Sequence, residues 1–217
     1  MLLALVQDSS TIRVIVSPTP PLIERTNAGV AVNFDLIIDN PTDVALNIDE
    51  ITLAVRDATG ALVVRRSLNG NGSRPSIRTI DVASVPARGQ SMVFNPFHSF
   101  VRGSILDVMS YRLALSSRDG ARRYIASVDV SPRQYRTKTV LVLPLEGWQL
   151  VHDGHEFDAH HRRCDYTIPG LRALGFRSNF MRYAYDFVST DRTGRIRVGD
   201  RVRRGQRIAA VGASGSA

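Results

Sequence analysis

The stretch GVAVNFDLIID, residues 29–39, decides how the first part of this chain folds. Val30, Val32, Phe34, Leu36 and Ile38 recur at every second position, with Asn33 and Asp35 on the opposite face. Successive strand side chains point to opposite sides of a sheet, so the alternation predicts a half-buried β-strand. Asn40 and Pro41 end it, because proline has no N–H for a continuing ladder. The same period returns in Ile51, Leu53 and Val55, which are expected to share one core with the first five. Asp57, Ala58, Thr59 and Gly60 then supply turn residues, and residues 61–68 come back as the partner strand.

Upstream, TIRVIV at 11–16 is a β-branched run that stops at Pro18 and the Pro20-Pro21 pair, a strand followed by a break. Downstream, residues 69–72 (NGNG) form a polar loop and residues 86–89 a turn. Residues 91–97 predict a strand, and 111–116 with 123–130 predict a closing hairpin around a turn at 117–120. Phe94, Phe97 and Phe100 are expected in the core. His98, alone among these apolar residues, is expected to be a hydrogen-bonded structural histidine. Several short strands with regular turns and no amphipathic helix point to an all-β fold, an antiparallel immunoglobulin- or fibronectin-like sandwich. It spans residues 1–133, and nothing in residues 1–131 has a catalytic pattern. SPRQYRTK, residues 131–138, carries the boundary. The second domain is residues 134–217 and opens with a strand at 139–143.

The chain has 217 residues, 43% of them hydrophobic, enough to bury a core in two small domains. Its formal net charge of +8 suits an anionic partner such as nucleic acid, teichoic acid or a membrane surface. That charge is arginine, with Lys138 the single lysine, and it is scattered without a basic run interleaved with aromatics. Specific nucleic-acid binding is therefore not expected. Cys164 is the single cysteine, so no internal disulfide forms. No stretch approaches the ~20 apolar residues of a membrane-spanning helix. Residues 1–6, MLLALV, are apolar but too short for a signal-peptide core. They are either the tail of a longer leader or an arm that docks on the first domain.

Chemistry concentrates in residues 151–188. His152, His155, His160 and His161 are interleaved with Asp153, Glu156, Asp158 and Asp165, and Asp186 is the one acid in RYAYDFV at 182–188. Imidazole nitrogen and carboxylate oxygen suit zinc. His160 or His161 could supply one ligand and Asp186 another, with residues 164–182 looped out between them. Spacing alone does not bring them together, and a histidine-rich polar surface loop has the same composition. A nucleophilic pair of Cys164 with His161 has only proximity in sequence behind it, and a lone cysteine is usually inert.

Two separated pieces resemble the lysostaphin/LytM-type zinc peptidases, which cut peptide cross-links in bacterial cell walls. The first runs from Asp153-Gly154-His155 through Asp158-Ala159-His160-His161-Arg162-Arg163 to Arg182-Tyr183-Ala184-Tyr185-Asp186-Phe187-Val188. It is similar to the family variant in which a histidine pair precedes an R-[YF]-A-x-D-[FIV] strand. The second, VGDRVRRGQRIAAVGASG at 198–215, resembles the family's V-G-D-x-V-x-x-G-Q-x-I-A-x-V-G-x-S-G segment.

The resemblance implies a zinc cofactor held by His160, with His161 as the alternative, and by Asp186. It also implies peptidoglycan or its wall peptide as partner and the bacterial envelope or periplasm as location. In the family, an H-x-H motif after the S-G turn provides the third ligand and a histidine beside the bound water. Here no histidine follows His161, and only residues 189–197 lie where the family has its central strands. The expectation is thus a truncated β-sheet peptidase-like domain, from a fragment or degenerate member. No catalytic residue is assigned, the chain is expected to be inactive, and order is expected to fail in part after Asp186. The alternative is a non-catalytic envelope binding or scaffold protein whose sandwich makes the partner or wall contacts.

Overall fold

A computed structural model describes residues 12–25, 28–136, 145 and 147–193. In chain order the strands are β1 (Arg13–Ser17), β2 (Leu22–Arg25), β3 (Val30–Val32), β4 (Asp35–Asn40), β5 (Leu46–Arg56), β6 (Leu62–Asn69), β7 (Ser84–Val85), β8 (Gly89–Phe94), β9 (Ser99–Phe100), β10 (Val108–Ser117), β11 (Arg123–Val130), β12 (Arg133–Gln134) and β13 (Trp148–Asp153). A short helix α1 (Pro169–Ala173) and a last strand β14 (Asp186–Thr190) follow, so the fold is all-β. The chain divides into two compact units, Met1–Arg136 with Asp165–Phe180, and Thr137–Cys164 with Met181–Ala217. The expected 133/134 boundary does not include that return: residues 165–180 pack with the first unit.

The first unit is a sandwich. One layer has strand order β11-β10-β5-β6, with β7 beside the start of β5. The other consists of two short sheets, β1-β4-β8 and β12-β2-β3-β9. The chain runs directly from β1 to β2, from β3 to β4 and from β8 to β9, keeping the same lateral order. The two short sheets are therefore one bent layer. All pairs are antiparallel except β2 with β12, which run parallel through Arg133 opposite Leu22, a departure from the purely antiparallel expectation. The hairpins at 57–60 and 117–120 form where turn residues predicted them, joining β5 to β6 and β10 to β11.

Residues 29–39 fold differently from a single half-buried strand. Val30, Val32, Phe34, Leu36 and Ile38 do enter one core with Leu53 and Val55. However, the strand breaks at Asn33-Phe34, where the chain passes from one short sheet to the other. Asn95 splints the break. Its backbone N–H donates to the Phe34 carbonyl at 3.0 Å and its side-chain amide to the Val32 carbonyl at 3.0 Å. The same side chain accepts the Phe97 N–H at 3.1 Å and the Tyr111 hydroxyl at 2.8 Å. His98, on the connection from β8 to β9, accepts the Val32 N–H at its carbonyl at 2.8 Å. Gly29 is needed next to this corner, because a Cβ there would sit 2.2 Å from the Phe100 carbonyl oxygen.

The second face of the stretch is also buried: Asn33 and Asp35 are 5% and 0% exposed. Part of the cover is the returning segment. Tyr166 packs with Ile37 and Met92, with Phe94 beside them, as a small second core on the outer side of β4 and β8. Arg172 adds a hydrogen bond from Nη2 to the Gln90 side-chain oxygen at 2.5 Å. Replacing Tyr166 with alanine should remove most of this apolar burial. The expected cost is about 2–3 kcal/mol in urea unfolding, with faster tryptic cleavage at Arg172 and Arg177. An unchanged cleavage rate would show that other contacts hold the segment.

The described part of the second unit is a two-stranded antiparallel sheet, β13 with β14, in which Trp148 opposes Thr190 and Val151 opposes Phe187. β14 runs from Asp186 through Thr190, and residues 194–217, most of the stretch in which order was expected to fail in part, lie outside the described residues. The expected strand at 139–143, the motif at 198–215 and the apolar residues 1–6 lie outside the described residues.

Candidate metal centre

The histidine pair sits on one helical turn. The Arg163 N–H donates to the carbonyls of Ala159 and His160, both at 3.1 Å, closing the turn. Consecutive side chains on such a turn diverge by roughly 100°, so the two histidines cannot face the same way. His161 points inward and is 7% exposed, while His160 lies at the surface. The two rings meet edge to face at 5.8 Å.

Asp186 opens β14 at the sheet end, across from Asp153, the last residue of β13. The register slips between Val151 and Asp153, leaving His152 as the extra residue of a bulge. Bulges re-aim side chains, and this one ends β13 on a carboxylate beside the metal-type residues. His161 Nε2 stands 3.4 Å from Asp186 Oδ2, and His161 Nδ1 stands 3.0 Å from the Ala184 carbonyl oxygen. A carbonyl can only accept, so Nδ1 carries the proton and Nε2 is the nitrogen turned to Asp186. The sequence reading preferred His160 over His161, whereas the turn brings His161 to Asp186 and leaves His160 outside.

Asp153 holds its charge firmly. The Gly154 N–H, at 2.7 Å from Oδ1, keeps its carboxyl below the usual carboxylate range, with His161 and His160 adding to the effect. Gly154 itself makes room for an aromatic ring, since a Cβ would lie 2.7 Å from Tyr185 Cε1. His155 is committed to packing, with its ring 5.1 Å from that of Tyr185 and 5.8 Å from that of Tyr183. Arg163 lies over the Phe157 ring at 4.9 Å and donates from Nε to the Phe157 carbonyl.

Among the described residues no group of three His, Cys, Asp or Glu side chains is arranged to hold a metal ion. The arrangement therefore offers two donors, one imidazole and one carboxylate, with the imidazole orientation set by a backbone carbonyl. Sequence reasoning did not identify that carbonyl, because any residue at position 184 would present it. Cys164 is buried and forms no disulfide.

No protein-family model matches this chain, and no curated protein matches it. Solved structures similar to it include the following two. One is a structural-genomics target called SoR45, 14% identical, covering 64% of this chain and 97% of its own, with a TM-score of 0.37. The other is the ASH/PapD-like domain of human CEP192 (PapD-like domain 7), 10% identical, covering 64% of this chain and 96% of its own, with a TM-score of 0.33. Among the described residues no helix is long and apolar enough to cross a membrane.

Proposed function

We propose that this chain is a bacterial cell-envelope protein related to the lysostaphin/LytM-type zinc peptidases, with His161 and Asp186 as two ligands of a zinc ion. One observation carries the reading, the 3.4 Å between His161 Nε2 and Asp186 Oδ2. Zinc bonds of ~2.0–2.2 Å at tetrahedral angles hold neighbouring donor atoms roughly 3.3–3.6 Å apart. A charge-assisted hydrogen bond would draw the same atoms to about 2.7–2.9 Å. The Ala184 carbonyl supports it further, because metal-binding histidines characteristically donate their other ring N–H to such an acceptor. When bound, zinc would supply an acidified water for attack on a peptide carbonyl. The chain's own residues would hold one side of the coordination sphere and fix the imidazole.

The test is a cobalt or zinc titration of the whole chain, with ligand-field absorption as the readout for cobalt. His161→Ala and Asp186→Ala should each weaken binding by at least tenfold, in the range of ~10–100-fold effects around metal sites. His160→Ala should leave it within a factor of about two. Equal binding by wild type and both ligand variants would overturn the assignment.

A second reading, a non-catalytic binding or scaffold protein, is favoured by a specific feature of the first unit. Its sandwich carries a concavity lined by charges of both signs. In that reading the sandwich makes the contacts with wall peptide or another partner.

A further inference from the structure

The outer face of β5, β10 and β11 holds a concavity of about 820 Å³. Ala114 and Ile125 contribute to its apolar floor, while the loop at Gly70 and Asn71 and the turn at Gly120 raise its rim. A regular strand shows every second residue outward, but β5 departs from this. Ala114 of β10 pairs with Glu50, while Leu115 pairs with Ile48, so Asp49 is the extra residue of a bulge. Two consecutive acids, Asp49 and Glu50, are thereby turned to the surface between buried Ile48 and Ile51.

Two arginines stand on the neighbouring strands to one side of these acids, one on β10 and one on β11. Arg112 lies opposite Thr52, and Arg123 lies opposite Ser116, and both line the concavity. Positions 112 and 116 are separated by roughly 13 Å along the strand at ~3.3 Å per residue. Along that direction the acids of β5, level with Ala114, fall between them. Among the described residues none of these four side chains makes a hydrogen bond or an ion pair. Read along the strands, the concavity therefore presents positive, negative and positive charge in order, none of it paired among the described residues.

We propose that this concavity binds an extended peptide carrying acid, base and acid at alternate positions. In an extended chain, side chains at positions 1, 3 and 5 share a face and span the same ~13 Å. Each carboxylate would meet an arginine, whose planar fork suits it. The central amine would meet Asp49 and Glu50, and its aliphatic stem would cover Ala114 and Ile125. The paired acids make a polyphosphate backbone a poor fit. This inference names a surface for the partner-binding reading and does not depend on the zinc site.

The experiment is an NMR titration of the whole chain with the blocked peptide Glu-Ala-Lys-Ala-Glu. Shifts confined to the amides around Ala114, Ile125, Asn71 and Gly120 are expected by about 10 mM peptide. Gln-Ala-Lys-Ala-Gln and Glu-Ala-Gln-Ala-Glu should each bind at least ~10-fold more weakly, as should the parent peptide to Asp49→Asn with Glu50→Gln. These acids are at the surface, and an otherwise unchanged spectrum would confirm that the variant is folded. Asp186→Ala should bind the peptide like wild type, which separates this test from the zinc assignment. Absence of shifts, or equal binding of the neutralised peptides, would overturn the proposal.

Discussion

Replacing Asn95 with leucine should cost about 3–6 kcal/mol, most of the stability of an ordinary domain. The side chain is fully buried, and leucine has the same branching with bulkier groups, so cavity formation is not the cause. The cause is the set of groups left behind. The Val32 carbonyl, the Phe97 N–H and the Tyr111 hydroxyl each lose a partner at 2.8–3.1 Å. Each unsatisfied buried group costs about 1–3 kcal/mol. Burial pushes the Tyr111 phenol well up from its ordinary value, so it remains a proton donor that needs an acceptor. Tyr111→Phe removes one hydroxyl together with its demand and should cost only about 1 kcal/mol. The double variant should therefore be at least ~1 kcal/mol more stable than the sum of the single costs implies. Urea unfolding of the four proteins measures this cycle. A cost below ~1 kcal/mol for Asn95→Leu would mean that the kink at Asn33-Phe34 is held by packing instead.

The contrast between the two layers shows what alternation can convey. Ile51, Leu53 and Val55 lie in a long central strand whose partners are a hairpin away on one side. The hydrophobic period and the turn at 57–60 were therefore sufficient to place them. In residues 29–39 the period correctly identified the inner face, but it carried no information about what lies on the other. Tyr166 arrives there from far along the chain, and the side-chain N–H of Asn95 meets the Val32 carbonyl across 63 positions. Such pairings leave no local pattern. The candidate metal centre was legible to the same degree. Residue types at 160, 161 and 186 were visible, while the choice within the pair depended on a single helical turn at 159–163. A turn of that length is too short to show periodicity. The exit of residues 165–180 to the first unit was invisible for the reason that hid Tyr166.

A polypeptide of these 217 residues, incubated with zinc and cross-linked wall sacculi, should release no more soluble fragments than its Asp186→Ala variant. All five histidines of the chain are among the described residues. His98 belongs to the first unit, His152 sits in the strand bulge, His155 packs against two tyrosines, and His160 lies at the surface of its turn. None joins His161 and Asp186 in a three-donor group. Catalytic zinc sites use three protein ligands and keep the fourth position for water. With two donors among the described residues, one of them a carboxylate whose side chain is 57% exposed, water would compete for most of a zinc ion's coordination sphere. A water bound to such an ion would be neither fixed against a carbonyl nor flanked, among the described residues, by a group that stabilises the developing charge. Losing one such stabilising donor alone costs about 10²–10³ in rate, and among the described residues a third ligand is missing as well. Zinc-dependent fragment release that Asp186→Ala abolishes would show that residues 194–217 supply the missing donor. Zinc-dependent release that Asp186→Ala leaves intact would sink the His161–Asp186 assignment together with this expectation.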